Sequence, residues 1–151
     1  MSVAFRRESD EEHKEPRFEL PIPAGPNLVT DRGMAMIGER IAALEAARDA
    51  AEDAEDRERI ARDLRYWQTR HATAQLTAPP TDGTAGFGST VDILLAGKPR
   101  TIAIVGDDEA DPKADRLAFS APLARALIGA EEGETVAFAG REDAVAVLAV
   151  R

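Results

Sequence analysis

The feature that most constrains this chain is a pair of amphipathic helical repeats with almost no sequence between them. Thr30 in NLVTDRGMAMIGER has the form of an N-cap, its hydroxyl able to accept from the free amides of a first turn. Apolar residues then recur at Ile37, Ile41, Leu44, Ala47 and Ala51, and a second series follows at Ile60, Leu64, Trp67, His71 and Ala74. Both keep the three- and four-residue spacing of one helix face. Helices joined by so short a connection pack antiparallel, so residues 30–76 are expected to form a coiled-coil hairpin. Each arm of roughly 20 residues would be about 30 Å long. Ala42, Ala43, Ala46, Ala47, Ala50 and Ala51 offer a thin seam, with Leu64 and Trp67 supplying the bulk against it. The run AARDAAEDAEDRERIA (46–61) falls at the far end of such a hairpin, where Asp49, Glu52, Asp53, Glu55 and Asp56 crowd together.

The flanking segments read differently. Residues 1–29 mix charges of both signs with Pro16, Pro21, Pro23 and Pro26 and have no apolar period, which predicts a flexible tail. TAPPTDGTAG (77–86) reads as a turn-rich linker. From residue 87 to 151 the pattern changes to FGSTVDILLAG, PRTIAIVG, RLAFS, ETVAFAG and DAVAVLAV, five short segments of alternating or β-branched apolar residues. Between the third and fourth lies PLARALIG, with Pro122 at a first helical position and Gly129 as its stop. The expected class is α+β: a helical hairpin, then a mostly antiparallel sheet packed on one short helix.

Charge and composition remove several functions. A net charge of −9 repels phosphate backbones and anionic lipid, so strong direct nucleic-acid binding and membrane association are not expected. The chain has no cysteine, which excludes disulfides and Cys-ligated zinc and suits a reducing, cytoplasmic setting. His13 and His71 stand in unrelated contexts, and no nucleophile motif or Gly-rich phosphate loop occurs. No apolar run approaches the roughly 20 residues that span a bilayer. A monomer with no stably bound cofactor is the expectation.

Two acidic clusters remain. At the hairpin tip, like-charge pairs such as Glu52 and Asp56 are partly relieved by Arg48, Arg57 and Arg59, which is how a solvated face looks. The alternative is that carboxylates on a rigid arm are presented to a metal ion or a basic surface on another molecule. Oxygen donors of this kind suit Mg²⁺, but no closed metal cage is spelled out here. The second cluster, VGDDEADPK (105–113), holds Asp107, Asp108, Glu109 and Asp111, and reads as an exposed turn between strands.

FGSTVDILLAG (87–97), IVGDDEADPKADRLAFSAPLARALIG (104–129) and EEGETVAF (131–138) resemble, in order and spacing, the bacterial Gre transcript-cleavage factors (GreA/GreB family). NLVTDRGMAMIGERIAALE and RHATAQL resemble more loosely the ends of that family's coiled coil. The resemblance implies an N-terminal antiparallel coiled coil and an FKBP-like C-terminal domain. It also implies RNA polymerase as partner, with the globular domain on the rim of the secondary channel and the coiled coil reaching inward. Acids at the tip would then share a Mg²⁺ with the polymerase, which itself cleaves backtracked RNA. The carried-over docking residues are Asp111, Pro112, Ser120, Ala121, Pro122 and Arg125.

Two departures bear on that transfer. The family's tip pattern, a glycine followed by an acid, a leucine and Glu-Asn-Ala-Glu, is absent. The hairpin is also roughly 20 residues short, which takes about 15 Å from its reach. A short coiled coil with alanine before the proline resembles the regulator-of-nucleoside-diphosphate-kinase relatives, polymerase binders that do not stimulate cleavage. A third alternative is a peptide-binding module on the FKBP-like fold, for which Phe87, Phe119 and Phe138 would have to line a cleft rather than face inward.

Overall fold

The structure is a computed structural model that describes residues 19–151. The elements are β1 (Leu28–Val29), α1 (Asp31–Ala50), α2 (Ala54–Thr73), β2 (Gln75–Leu76), β3 (Thr90–Leu95), β4 (Lys98–Val105), a 3₁₀ turn (Pro112–Ala114), β5 (Arg116–Ala118), α3 (Pro122–Leu127), β6 (Thr135–Phe138) and β7 (Arg141–Val150).

The two long helices form the expected hairpin. The Thr30 hydroxyl accepts from the Gly33 amide at 3.0 Å and starts α1, which runs 20 residues to Ala50. The connection is three residues long, and Asp53 caps α2 by accepting from the Glu55 amide at 3.2 Å. Ile37 and Leu64 are buried where the arms meet near the base. The alanine seam closes only loosely, because a methyl group covers little of its neighbour: Ala42, Ala43, Ala46, Ala47 and Ala50 are all exposed. On α2 the inward position is Arg70, not His71, which is exposed.

The hairpin's feet are tied by a short parallel sheet that apolar periodicity does not reveal. Leu28 pairs with Gln75 and Val29 with Leu76. The tail expected over 1–29 lies outside the described residues for 1–18. Asn27 and Val29 are 5% and 4% exposed, so the fold begins before Thr30. Asn27 donates through Nδ2 to the Arg70 carbonyl at 2.8 Å, holding the start of α1 to the end of α2. Glu19 meets Arg65 at 2.7 Å on the outer side of α2.

The C-terminal unit is a five-stranded sheet in the order β5-β4-β3-β7-β6. Its pairings are antiparallel except β4 with β5, which run parallel. Alternation places Val91 and Ile93, Ile102 and Ile104, and Val145 and Val147 on one face, where Leu123, Ala124 and Leu127 of α3 cover them. The linker expected over 77–86 ends earlier than its composition suggests. Ala85 is 1% exposed and exchanges backbone hydrogen bonds with Gly129 and Ala130, so it is part of the core.

Candidate functional site

At the tip the acids are held by local chemistry. Asp53 is the α2 cap, Asp56 pairs with Arg59 at 3.1 Å, and Asp49 lies 3.7 Å from Arg48. Arg57 turns back to donate to the Ala51 carbonyl at 2.7 Å, which closes the end of α1. Acids in the first turn of α2 also suit the positive end of its dipole. Among the described residues, Glu52 and Glu55 are the two of the five whose carboxylates make no hydrogen bond or ion pair. Both are exposed. No three acidic or histidine side chains of the described residues converge on a point where a cation could sit. A Mg²⁺ ion here would need most of its ligands from another molecule.

The second region is the start of α3 and the loop before it. Pro122 occupies the first helical position, and Pro122, Arg125 and Ile128 are exposed along the helix. Ser120 is exposed and donates to Asp107 at 3.3 Å. Asp111 lies 3.5 Å from Arg116 and precedes the 3₁₀ turn that Pro112 begins. The connection from β4 to β5 carries Asp107, Asp111 and Pro112, and the Asp107–Ser120 hydrogen bond joins it to the segment in which Ala121 leads into α3.

The middle of that connection departs most from expectation. The turn 105–113 is not solvated throughout: Glu109 is 6% exposed and Gly106 is buried. Asp108 accepts from Arg70 Nε at 2.6 Å and from the Tyr66 hydroxyl. Glu109 accepts from the Thr30 hydroxyl and pairs with Arg32 at 3.1 Å. Burial, and then the hydrogen bond to Asp108, pushes the Tyr66 phenol up to about 12, so it stays a donor. Sequence reasoning missed this junction because Arg70 resembles any surface arginine of a charged helix. The one legible hint was an arginine close to the seam positions of α2.

The sheet's outer face carries a separate pair. Asp92 accepts from Arg151 and from Thr101, and these hydrogen bonds hold its carboxyl below the ordinary range. Phe87 is 8% exposed and meets Phe119 edge-on at 5.6 Å, while Phe138 packs at the core's margin. These rings are core material, which removes the aromatic wall that a peptide cleft would need. No helix of the described residues is long and apolar enough to cross a membrane.

Residues 80–151 match the family described as "Transcription elongation factor, GreA/GreB, C-term". The chain is 44% identical over 91 residues to transcription elongation factor GreA of Ralstonia nicotianae, covering 56% of this chain and 58% of that protein. It is 42% identical over 77 residues to GreA of Pseudomonas aeruginosa, covering 50% and 49%. The chain thus spans about half the length of the relatives it matches. Among solved structures, it is similar to the GreA factor homolog Gfh1 of Thermus thermophilus, with a TM-score of 0.40, 14% identity and coverage of 84% and 99%. A GreA/GreB factor from Nitrosomonas europaea gives 0.40 at 16% identity, covering 84% and 98%.

Proposed function

From the match of residues 80–151 to the GreA/GreB elongation-factor family, we propose that this protein is an RNA polymerase-binding factor that works through the secondary channel and regulates elongation. The observation that carries the reading is architectural. The family-matched domain carries Asp111 and Pro112 on the β4–β5 connection that receives the foot of a projecting hairpin, and Ser120, Ala121, Pro122 and Arg125 just after β5. The globular domain docks and the hairpin enters. The factor is not itself an enzyme: it offers reach and carboxylates, and bond cleavage belongs to the polymerase. When Mg²⁺ is shared with that active site, it supplies charge stabilisation to the attacking water and the leaving oxygen. Glu52 and Glu55 are the acids of this chain best placed to complete its shell, since Asp53 and Asp56 are committed to the turn. The partner is RNA polymerase, bound by a monomeric factor in the cytoplasm.

A second reading is favoured by one feature. Each arm is 20 residues long, and three of the five tip acids are engaged at home. A carboxylate must come within about 2.1 Å of Mg²⁺ to ligate it. A tip that stops short occupies the channel and competes with longer factors without stimulating cleavage.

The deciding experiment is transcript shortening in a backtracked elongation complex, with and without the protein and with a full-length Gre factor as competitor. Cleavage that is Mg²⁺-dependent and falls at least about ten-fold in the Glu52→Gln/Glu55→Gln variant supports the first reading. Absence of cleavage together with loss of the competitor's activity supports the second. Neither effect, with no binding to the polymerase, overturns both.

A further inference from the structure

Asp108 and Glu109 are neighbours in sequence, yet they hold opposite arms of the hairpin. Asp108 takes Tyr66 and Arg70 on the last turns of α2, and Glu109 takes Thr30 and Arg32 where α1 begins. The side chains of Arg70 and Asp108 are 2% and 7% exposed, and that of Glu109 is 4% exposed. Arg70 Nη2 has no hydrogen-bond partner, so this guanidinium depends on Asp108.

The approach is close on both sides, and at Gly106 it leaves no room for a side chain. A Cβ at Gly106 would lie 2.3 Å from the Leu28 carbonyl oxygen, and one at Gly33 would lie 2.9 Å from Glu109 Oε1. A cavity of about 10 Å³ at the joint, lined by residues such as Asn27, Met36 and Asp108, is about the size of one water.

A joint built this way does something that apolar packing does not. Apolar contacts are non-directional, whereas charge-assisted hydrogen bonds have preferred lengths and directions. Two of them on adjacent residues, each holding a different helix, leave the hairpin little freedom to swing. The consequence grows with distance from the joint. A tilt of about 5° at the base displaces a tip about 30 Å away by about 2.6 Å, which exceeds the length of a metal–oxygen bond.

We propose that Asp108 and Glu109 are positioning residues that clamp both arms of the hairpin at one angle to the sheet domain, so that a partner seated on the same connection aims the tip. The aiming half rests on the polymerase reading above, and the clamp does not. Asp107 and Asp111 bracket the pair, and the Asp107 hydrogen bond to Ser120 ties the connection to the start of α3. Docking on Asp111, Pro112 and Ser120 therefore engages the loop that sets the angle.

The natural absence of cysteine makes a direct test clean. Cysteines at the exposed positions Ala50, near the tip, and Glu132, in the sheet domain, take spin labels in the full chain. The unaltered clamp gives one narrow distance distribution. Asp108→Asn and Glu109→Gln each widen it, and the double variant widens it most, with helical content unchanged by circular dichroism. Tyr66→Phe, which removes one hydrogen bond and keeps the charges, gives the smallest widening. If the double variant does not fold, Glu109→Gln and Tyr66→Phe decide on the same readout. A folded clamp variant with a distribution as narrow as the parent overturns the proposal.

The aiming half is read by a photo-crosslinker on the Ala50 cysteine with RNA polymerase bound. One dominant adduct forms with the parent, and it falls at least about ten-fold in the double variant at equal binding. An unchanged adduct overturns aiming while the distance result stands. If the parent itself does not bind, the polymerase reading fails and the aiming half with it, whereas the clamp is still judged by the distances.

Discussion

The sheet domain and the helical hairpin share one chain but differ in how deeply they bury it. In the sheet domain, Val91, Ile93, Ile102, Ile104, Leu127 and Val145 are fully enclosed. Along the hairpin, only Gly33 and Ile37 of α1 and Leu64 and Arg70 of α2 are buried, all on the half nearest the joint. From Ile41 to the tip the two arms meet through half-buried or exposed side chains. The lesson is that the domain is held by its core, whereas the hairpin is held by its foot. Its outer half relies on helix propensity and on caps such as Asp53. A projecting arm suits this economy, since alanine and charged residues keep a helix stable without presenting an apolar surface.

Three experiments press on that contrast. The largest effect is expected from Ile104→Ala, which empties a fully enclosed site and should lower stability by about 3–4 kcal/mol in urea denaturation. Leu44→Ala, at a half-buried site of the outer hairpin, should cost less than about 1 kcal/mol. Equal losses would mean that the hairpin is packed as tightly as the sheet.

Next in size is a pair of glycine substitutions across the joint. Gly106→Ala drives a methyl into the Leu28 carbonyl, backbone that can yield only by pulling β1 from its place, and should cost about 2–3 kcal/mol. Gly33→Ala meets the end of the Glu109 side chain, which can give way, and alanine also favours the helix. The net change there should be within about 1 kcal/mol. Thermal melts of the two variants compare them, and a Gly106→Ala variant as stable as the parent would show that the foot is looser than described.

The smallest effect is on pH. The Tyr66 phenol is raised from 10.0 to about 12 by burial and by Asp108, so the folded state keeps a proton that the unfolded chain loses. Its contribution is complete below about pH 10 and disappears as pH rises from about 10 to about 12. Because Tyr66 is only partly buried, solvent screening brings the change to about 1 kcal/mol. Denaturation of the parent and Tyr66→Phe at pH 9 and 11.5 should show the parent losing the excess. A parallel fall in both would detach the tyrosine from the joint's stability.

Local chemistry written in the sequence determined much of this protein. Thr30 begins a helix because its hydroxyl meets the first turn, and Pro122 and Gly129 bound α3 through their own backbone preferences. Alternation at Val91 and Ile93 or at Val145 and Val147 assigns strand faces without knowledge of any partner. The tip acids could be placed at the hairpin's end by counting residues. Tertiary structure alone decided which of them are engaged, because a cap and an i,i+3 pair depend on where the turn begins. It also decided the fate of Asp108 and Glu109. A run of carboxylates between two strands looks the same whether water or a buried arginine receives it, and Arg70 lies 38 residues from Asp108 along the chain. The two-residue strands at Leu28 and Gln75 were hidden for a similar reason. They exist because the feet of a hairpin come together, and no period in their own residues announces it.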